Sequence, residues 1–120
     1  MITQSTNNGK TIMATVTRNS LQAMLDNNNP DYVAQVIGRA LLVLFKNQTR
    51  DEQSMNTTNK DNGIGFTGAD AHSGSITAKY YIKHKTLMDW QVDRWTKRGS
   101  RGYSRLAKYH KQLNEAANRA

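Results

Sequence analysis

The sequence predicts a mainly α-helical protein, a small bundle of four to five helices preceded by a short N-terminal β-hairpin. Apolar side chains recur at helical spacing in four stretches, each opened by a cap or start signal, whereas alternation with period two is confined to residues 11–17, the second arm of the hairpin expected within residues 2–17. The length agrees: 120 residues without a single cysteine are enough for one domain, residues 1–120, whose core needs no disulfide or thiolate-bound metal. Within it, residues 1–18 read as a hairpin or arm and residues 19–120 as the helical domain.

Asn8-Gly9 supplies the positive φ angles of a tight hairpin turn, and Ile12, Ala14 and Val16 alternate with Thr11, Met13, Thr15 and Thr17. Asn19 or Ser20 is expected to cap a short helix over 21–26, with Leu21, Met24 and Leu25 on one side, before Asn27-Asn28-Asn29 ends it. Asn29-Pro30-Asp31 opens the next helix: Asn accepts from the first free amides, Pro suits the first helical position, and Asp complements the positive helix end. Val33, Val36, Ile37, Ala40, Leu41 and Leu44 then recur at helical spacing, and Leu42, Val43 and Phe45 make the last turns apolar nearly all round. A helix of this kind is the buried centre of a bundle or part of a homodimer interface.

Between Asn47 and Gly63 only Met55 is apolar, so the helix is expected to extend at most to Gln53 as a solvated tail and then give way to a loop. Thr67-Gly68-Ala69-Asp70 matches a capping box with Asp in place of Glu, opening a helix to about His84 that would bury Ala71, Ile76, Ala78, Tyr80 and Tyr81. Thr86-Leu87-Met88-Asp89 repeats that pattern for a fourth helix to about Lys97, carrying Met88, Trp90, Val92 and Trp95. Trp90 and Trp95 are five apart and cannot fully share a helical face, so one is expected at the edge of the core, where an exposed Trp serves as an interface anchor. A fifth helix follows over 104–118, with a stripe of Leu106, Tyr109, Leu113, Ala116 and Ala117.

Charge is distributed unevenly. The net +8 of the chain arises entirely after residue 78, because residues 1–78 hold six basic and six acidic side chains, while 79–120 hold eleven Lys and Arg against Asp89, Asp93 and Glu115. Such an asymmetry attracts polyanions: DNA, RNA or an acidic host protein surface. No apolar run approaches the ~20 residues of a membrane span, and the N-terminus lacks a signal-peptide pattern, so a soluble, cytoplasmic protein without a membrane partner is expected.

Motifs for chemistry are weak. Gly63-Ile64-Gly65-Phe66-Thr67-Gly68 spells GxGxxG with Asp89 downstream, but the feeding segment 53–62 is polar, so no buried strand delivers it to a dinucleotide. Two readings of it remain: an anion nest at Gly63, Gly65 and Gly68 built from free amides, or a structural turn in which Phe66 plugs the core. His72, His84 and His110 are widely spaced and implicate no metal. Asp70, His72, Ser73 and Ser75 do not form a convergent nucleophile, base and orienting group, and Asp51-Glu52 with Lys60 lacks the strand context of a carboxylate nuclease. No enzymatic activity and no cofactor are implied.

The strongest signal is Lys97-Arg98-Gly99-Ser100-Arg101-Gly102-Tyr103-Ser104-Arg105, continued by Lys108 and Lys111. Arg and Lys neutralise phosphates, Gly lets the backbone approach, and Tyr103 offers a ring to an unpaired base. The alternative is an ordinary solvated loop. Replacing Arg101 and Arg105 together should weaken nucleic-acid binding with little effect on fold stability.

Asp51-Glu52-Gln53, Asn62-Gly63-Ile64-Gly65-Phe66 with Asp70-Ala71, Thr86, Gln91 and Leu106-Ala107-Lys108-Tyr109-His110-Lys111-Gln112-Leu113 together resemble small helical proteins encoded by bacteriophages and other mobile elements. The 99–102 stretch departs from that pattern, which has a shorter connection there. The resemblance carries no assigned activity. It implies a setting, the host-cell cytoplasm, and two roles: managing phage or host nucleic acid, or inhibiting a host nucleoprotein or defence complex.

Overall fold

The structure, a computed structural model, describes residues 15–48 and 65–118. Among these described residues, five α-helices and one 3-10 helix follow in order: α1 (Arg18–Leu25), α2 (Pro30–Asn47), α3 (Ala71–His84), α4 (Asp89–Thr96), η1 (Arg105–Tyr109) and α5 (His110–Ala117). The mainly helical bundle expected from the pattern is the architecture observed. The hairpin over residues 2–17 lies outside the described residues except for 15–17.

Local chemistry fixes most boundaries, with some displacements from the expected ones. The α1 cap is Thr17, two residues ahead of Asn19: its hydroxyl accepts from the Ser20 amide (3.0 Å), and the Ser20 hydroxyl accepts in return from the Thr17 amide (2.8 Å). Ser20 therefore serves as the third helical residue of a reciprocal box and not as the cap. At α2 the expected start is realised, Asn29 Oδ1 accepting from the amides of Asp31 (3.0 Å) and Tyr32 (3.4 Å) with Pro30 in the first turn. The helix ends at Asn47 with Gln48 as a buried, extended C-cap, and the rest of the tail expected to Gln53 lies outside the described residues.

The capping box expected at Thr67 is not formed. Asp70 occupies the cap position of α3 without a side-chain cap bond, because its carboxylate turns inward to other partners, and the Thr67 amide donates to the Tyr109 hydroxyl (3.1 Å). The cap of α4 is likewise Met88 and not Thr86: the buried Gln91 side chain reaches back to accept from the Met88 amide (2.8 Å). The continuous helix expected from Ser104 divides into η1 and α5, with Leu106, Ala107, Tyr109 and Leu113 buried, while Ala117 of the expected stripe is exposed.

The α2 helix is the central element. Ile37, Leu41 and Leu44 have no exposure, and around them gather Leu21 and Leu25 of α1, Ala78 and Tyr81 of α3, Trp95 of α4, Leu106 and Tyr109 of η1, and Leu113 of α5. Full burial of each large aliphatic chain contributes about 1.5–3 kcal/mol. The α3 face that meets them is Ala71, Gly74, Ser75, Ala78 and Tyr81; Ala71, Ala78 and Tyr81 belong to the expected stripe, whereas Ile76 is 41% exposed and Tyr80 half-buried, with Gly74 and Ser75 buried instead. Small residues win because two rings need the space. A Cβ at Gly38 would lie 2.2 Å from the Tyr81 ring, and one at Gly74 would lie 2.4 Å from Phe66. Phe66, 2% exposed, meets Tyr109 edge-on at 6.1 Å between ring centroids and Trp95 at 6.2 Å, which seats the 65–70 segment beneath η1.

Candidate nucleic-acid interface

The basic stretch is a closed loop. Arg98 and Ser104 form an isolated antiparallel bridge, the Gly99 amide donates to the Tyr103 carbonyl (2.9 Å), the Gly102 amide to the Gly99 carbonyl (3.0 Å), and the Arg105 amide to the Lys97 carbonyl (2.9 Å). Gly102 makes the return with φ of +84°, a left-handed value that favours glycine. The loop is also tied to α1. Gln22, buried, accepts from the Ser104 amide (2.6 Å) and donates to the Ser104 hydroxyl (2.8 Å). Arg98 grips both oxygens of Asp26 (2.7 and 2.9 Å) and donates to the Gly102 carbonyl.

Between this loop and the start of α1 lies a cavity of about 510 Å³, lined by Lys97, Arg98, Arg101, Tyr103, Arg105 and Lys108 of the predicted set and also by Arg18. Lys111 lies outside it, exposed on α5. Arg18 is the contributor that sequence reasoning missed. Its charge is cancelled in the balanced count of residues 1–78, and only the packing of α1 against η1 carries it across. The Arg18 guanidinium stands over the Tyr103 ring, 5.2 Å from its centroid, and the Tyr103 hydroxyl donates to Asn19 Oδ1 (2.7 Å). The ring expected to take a base thus already has a cation on one face.

The six cationic linings differ in electrostatic state. Arg105 and Lys108 converge on Asp70, whose side chain has no exposure: Arg105 donates to Oδ1 through Nε (2.7 Å) and a terminal nitrogen (2.6 Å), while Lys108 (2.8 Å) and the Tyr109 hydroxyl (2.6 Å) donate to Oδ2. Burial pushes the Asp70 carboxyl up, but hydrogen bonds from Lys108, Tyr109 and Arg105 together with the Lys108 charge outweigh it and hold the group below its ordinary value. Tyr109 moves upward, through burial and then its bond to the Asp70 carboxylate, and remains a phenol. His110 is lowered by burial and by the Arg18 and Lys111 charges. Among the described residues, Arg18, Lys97 and Arg101 have no carboxylate within ion-pair distance.

This arrangement corrects the expected neutrality of replacing Arg101 and Arg105 together. Arg105 is half of the bracket over a buried carboxylate, so its removal costs fold stability. Lys97 and Arg101, exposed and without ion pairs among the described residues, carry no such structural cost.

The described part of this segment, residues 65–68, behaves as the structural turn. The Gly65 amide donates to Gln112 Oε1 (2.7 Å), Gln112 Nε2 donates back to the Gly65 carbonyl (2.9 Å), and Phe66 fills the core. With the Gly65 and Thr67 amides already bonded, an anion nest has no free donors at those two positions; Gly68 is exposed, and Gly63 lies outside the described residues. Of the two tryptophans, Trp95 is fully buried and Trp90 is 59% exposed beside Met88, 47% exposed, whose sulfur accepts from Trp90 Nε1 (3.3 Å). No group of three or more metal-ligating side chains occurs among the described residues, and no described helix is long and apolar enough to cross a membrane. No family model, curated protein or solved structure matches this chain significantly.

Proposed function

We propose that this is a small, non-enzymatic nucleic-acid-binding protein whose C-terminal basic region holds phosphate groups. One observation carries the proposal: six cationic residues from α1, the 97–104 loop and η1 line a single cavity, with Asp26 and Asp70 the carboxylates that pair with them among the described residues. Counter-charge at Asp70 fixes Arg105 and Lys108 in place, so less ordering entropy is lost when an anion arrives. The exposed Lys97 and Arg101 add charge that is not already neutralised.

Fluorescence anisotropy with duplex and single-stranded oligonucleotides over a salt series tests this. The expected log–log slope is about −0.9 per phosphate neutralised on duplex and about −0.7 on single strands. Lys97→Ala combined with Arg101→Ala should weaken all sequences alike and flatten the slope by roughly two contacts. Absence of binding, or binding indifferent to salt, refutes the proposal.

A second reading has its own support in the exposed Trp90 and Met88 pair: an inhibitor or adaptor that docks on a host nucleoprotein or defence complex, in the phage setting suggested by sequence resemblance. A pull-down from host extract that is lost in Trp90→Ala, from a protein with no affinity for free nucleic acid, favours that reading instead.

A further inference from the structure

The shape of the basic site narrows its ligand. A duplex carries its phosphates on the outside of a stiff cylinder and meets proteins along ridges, loops or helices that fit its grooves. Here the cations converge on a depression of about 510 Å³, within the range of small-ligand pockets and too small for a duplex to enter. A strand end or a single nucleotide fits such a space. The charge is also concentrated. A backbone diester brings one negative charge, whereas a phosphomonoester brings roughly −1.5 to −2 at pH 7 and a third oxygen able to accept strong hydrogen bonds.

The wall is suited to close approach. A Cβ placed on Gly99, which lines the cavity, would meet only the Tyr103 carbonyl at 4.0 Å, so this glycine leaves open space beside the loop. The central amides of the 99–102 turn, those of Ser100 and Arg101, make no backbone hydrogen bond among the described residues. Arg98, Arg105 and Lys108 are held by carboxylates, and among the described residues Arg18, Lys97 and Arg101 are not.

Resting on the nucleic-acid reading of the same cavity, we infer that the pocket formed by Arg18, the 97–104 loop and η1 takes a phosphomonoester, supplied by the end of a single strand or by a free nucleotide. Lys97 and Arg101 close on the terminal phosphate against the fixed guanidinium of Arg98, and Lys111 lies outside the pocket.

The test compares, with the full chain, one short single-stranded oligonucleotide carrying a 5′-phosphate, a 3′-phosphate or hydroxyls at both ends, with a nucleoside monophosphate as competitor. One of the phosphorylated forms should bind about tenfold or more tightly than the hydroxyl form, as expected for a set of charge-assisted hydrogen bonds made only by the monoester. Lys97→Ala with Arg101→Ala, shown to be folded by circular dichroism, should erase that preference. A mononucleotide competing as well as the phosphorylated strand identifies the free nucleotide as the source; weak competition identifies the strand end. Equal affinity for all three strands overturns the inference and leaves the nucleic-acid reading intact. Binding of the mononucleotide with no binding of any strand overturns the nucleic-acid reading and leaves the phosphomonoester. A preference that survives in the double variant places the terminal phosphate elsewhere and also overturns the inference.

Discussion

Asp70→Asn perturbs the joint between fold and site with almost no change of volume. In the native protein, four donor contacts from Arg105, Lys108 and Tyr109 end on a carboxylate with no exposure. Asparagine can keep an oxygen toward Arg105, but its NH2 then faces the Lys108 ammonium, donor against donor. Breaking a fully buried ion pair from one side costs about 3–5 kcal/mol. Arg105 is 33% exposed and Lys108 45%, so water recovers part of that loss for both cations. The expected destabilisation is about 2–3 kcal/mol, or roughly 6–15 °C in Tm for a chain of this size.

The pH dependence supplies a second signature. Because the folded Asp70 carboxyl titrates below its ordinary value of 3.8, the unfolded chain takes up this proton first as pH falls. Its stabilisation is therefore fully present well above 3.8 and disappears as pH drops through that value toward the lower folded one. Urea titrations monitored at 222 nm, a wavelength chosen for the helical far-UV signal, should show that acid limb shallower in Asp70→Asn than in the native protein. A variant within about 0.5 kcal/mol of native at neutral pH, or one with an unchanged acid limb, refutes the Asp70 bracket.

Other perturbations separate core from surface. Leu41→Ala removes a branched side chain with no exposure and should cost roughly 2–5 kcal/mol in denaturant; a loss under about 0.5 kcal/mol would place that face outside the core. Gly38→Ala should destabilise by about 1–2 kcal/mol although Ala is the better helix former, because the added methyl meets the Tyr81 ring at 2.2 Å; a gain in Tm would show that α2 and α3 separate easily. The Lys97→Ala and Arg101→Ala double variant should leave stability within about 0.5 kcal/mol by the same denaturation assay, since both side chains are exposed and without ion pairs among the described residues. A larger loss would give the pair a structural role.

The sequence by itself determined the helical class, the position of α2 and the basic character of the C-terminal third. Each rests on information local in the chain: 3.6-residue spacing of Ile37, Leu41 and Leu44, the Asn29-Pro30 start, and a run of cations without intervening acids. Helix starts were less legible where a capping residue had a competing partner. Thr67 and Asp70 spell a cap, yet the energy of pairing a buried carboxylate with Arg105, Lys108 and Tyr109 exceeds that of one cap bond, so Asp70 turns inward. The face of α3 was legible at Ala71, Ala78 and Tyr81 but not in full: apolar periodicity favours Ile76, whereas the Phe66 and Tyr81 rings admit only small neighbours at Gly74 and Gly38. At the site, six of the seven residues predicted from the linear sequence line the cavity, and tertiary contact alone added Arg18. Contact also decided which cations are neutralised, because Asp26 and Asp70 lie far from Arg98 and Arg105 along the chain and meet them only when α1 and α3 pack beside the loop and η1.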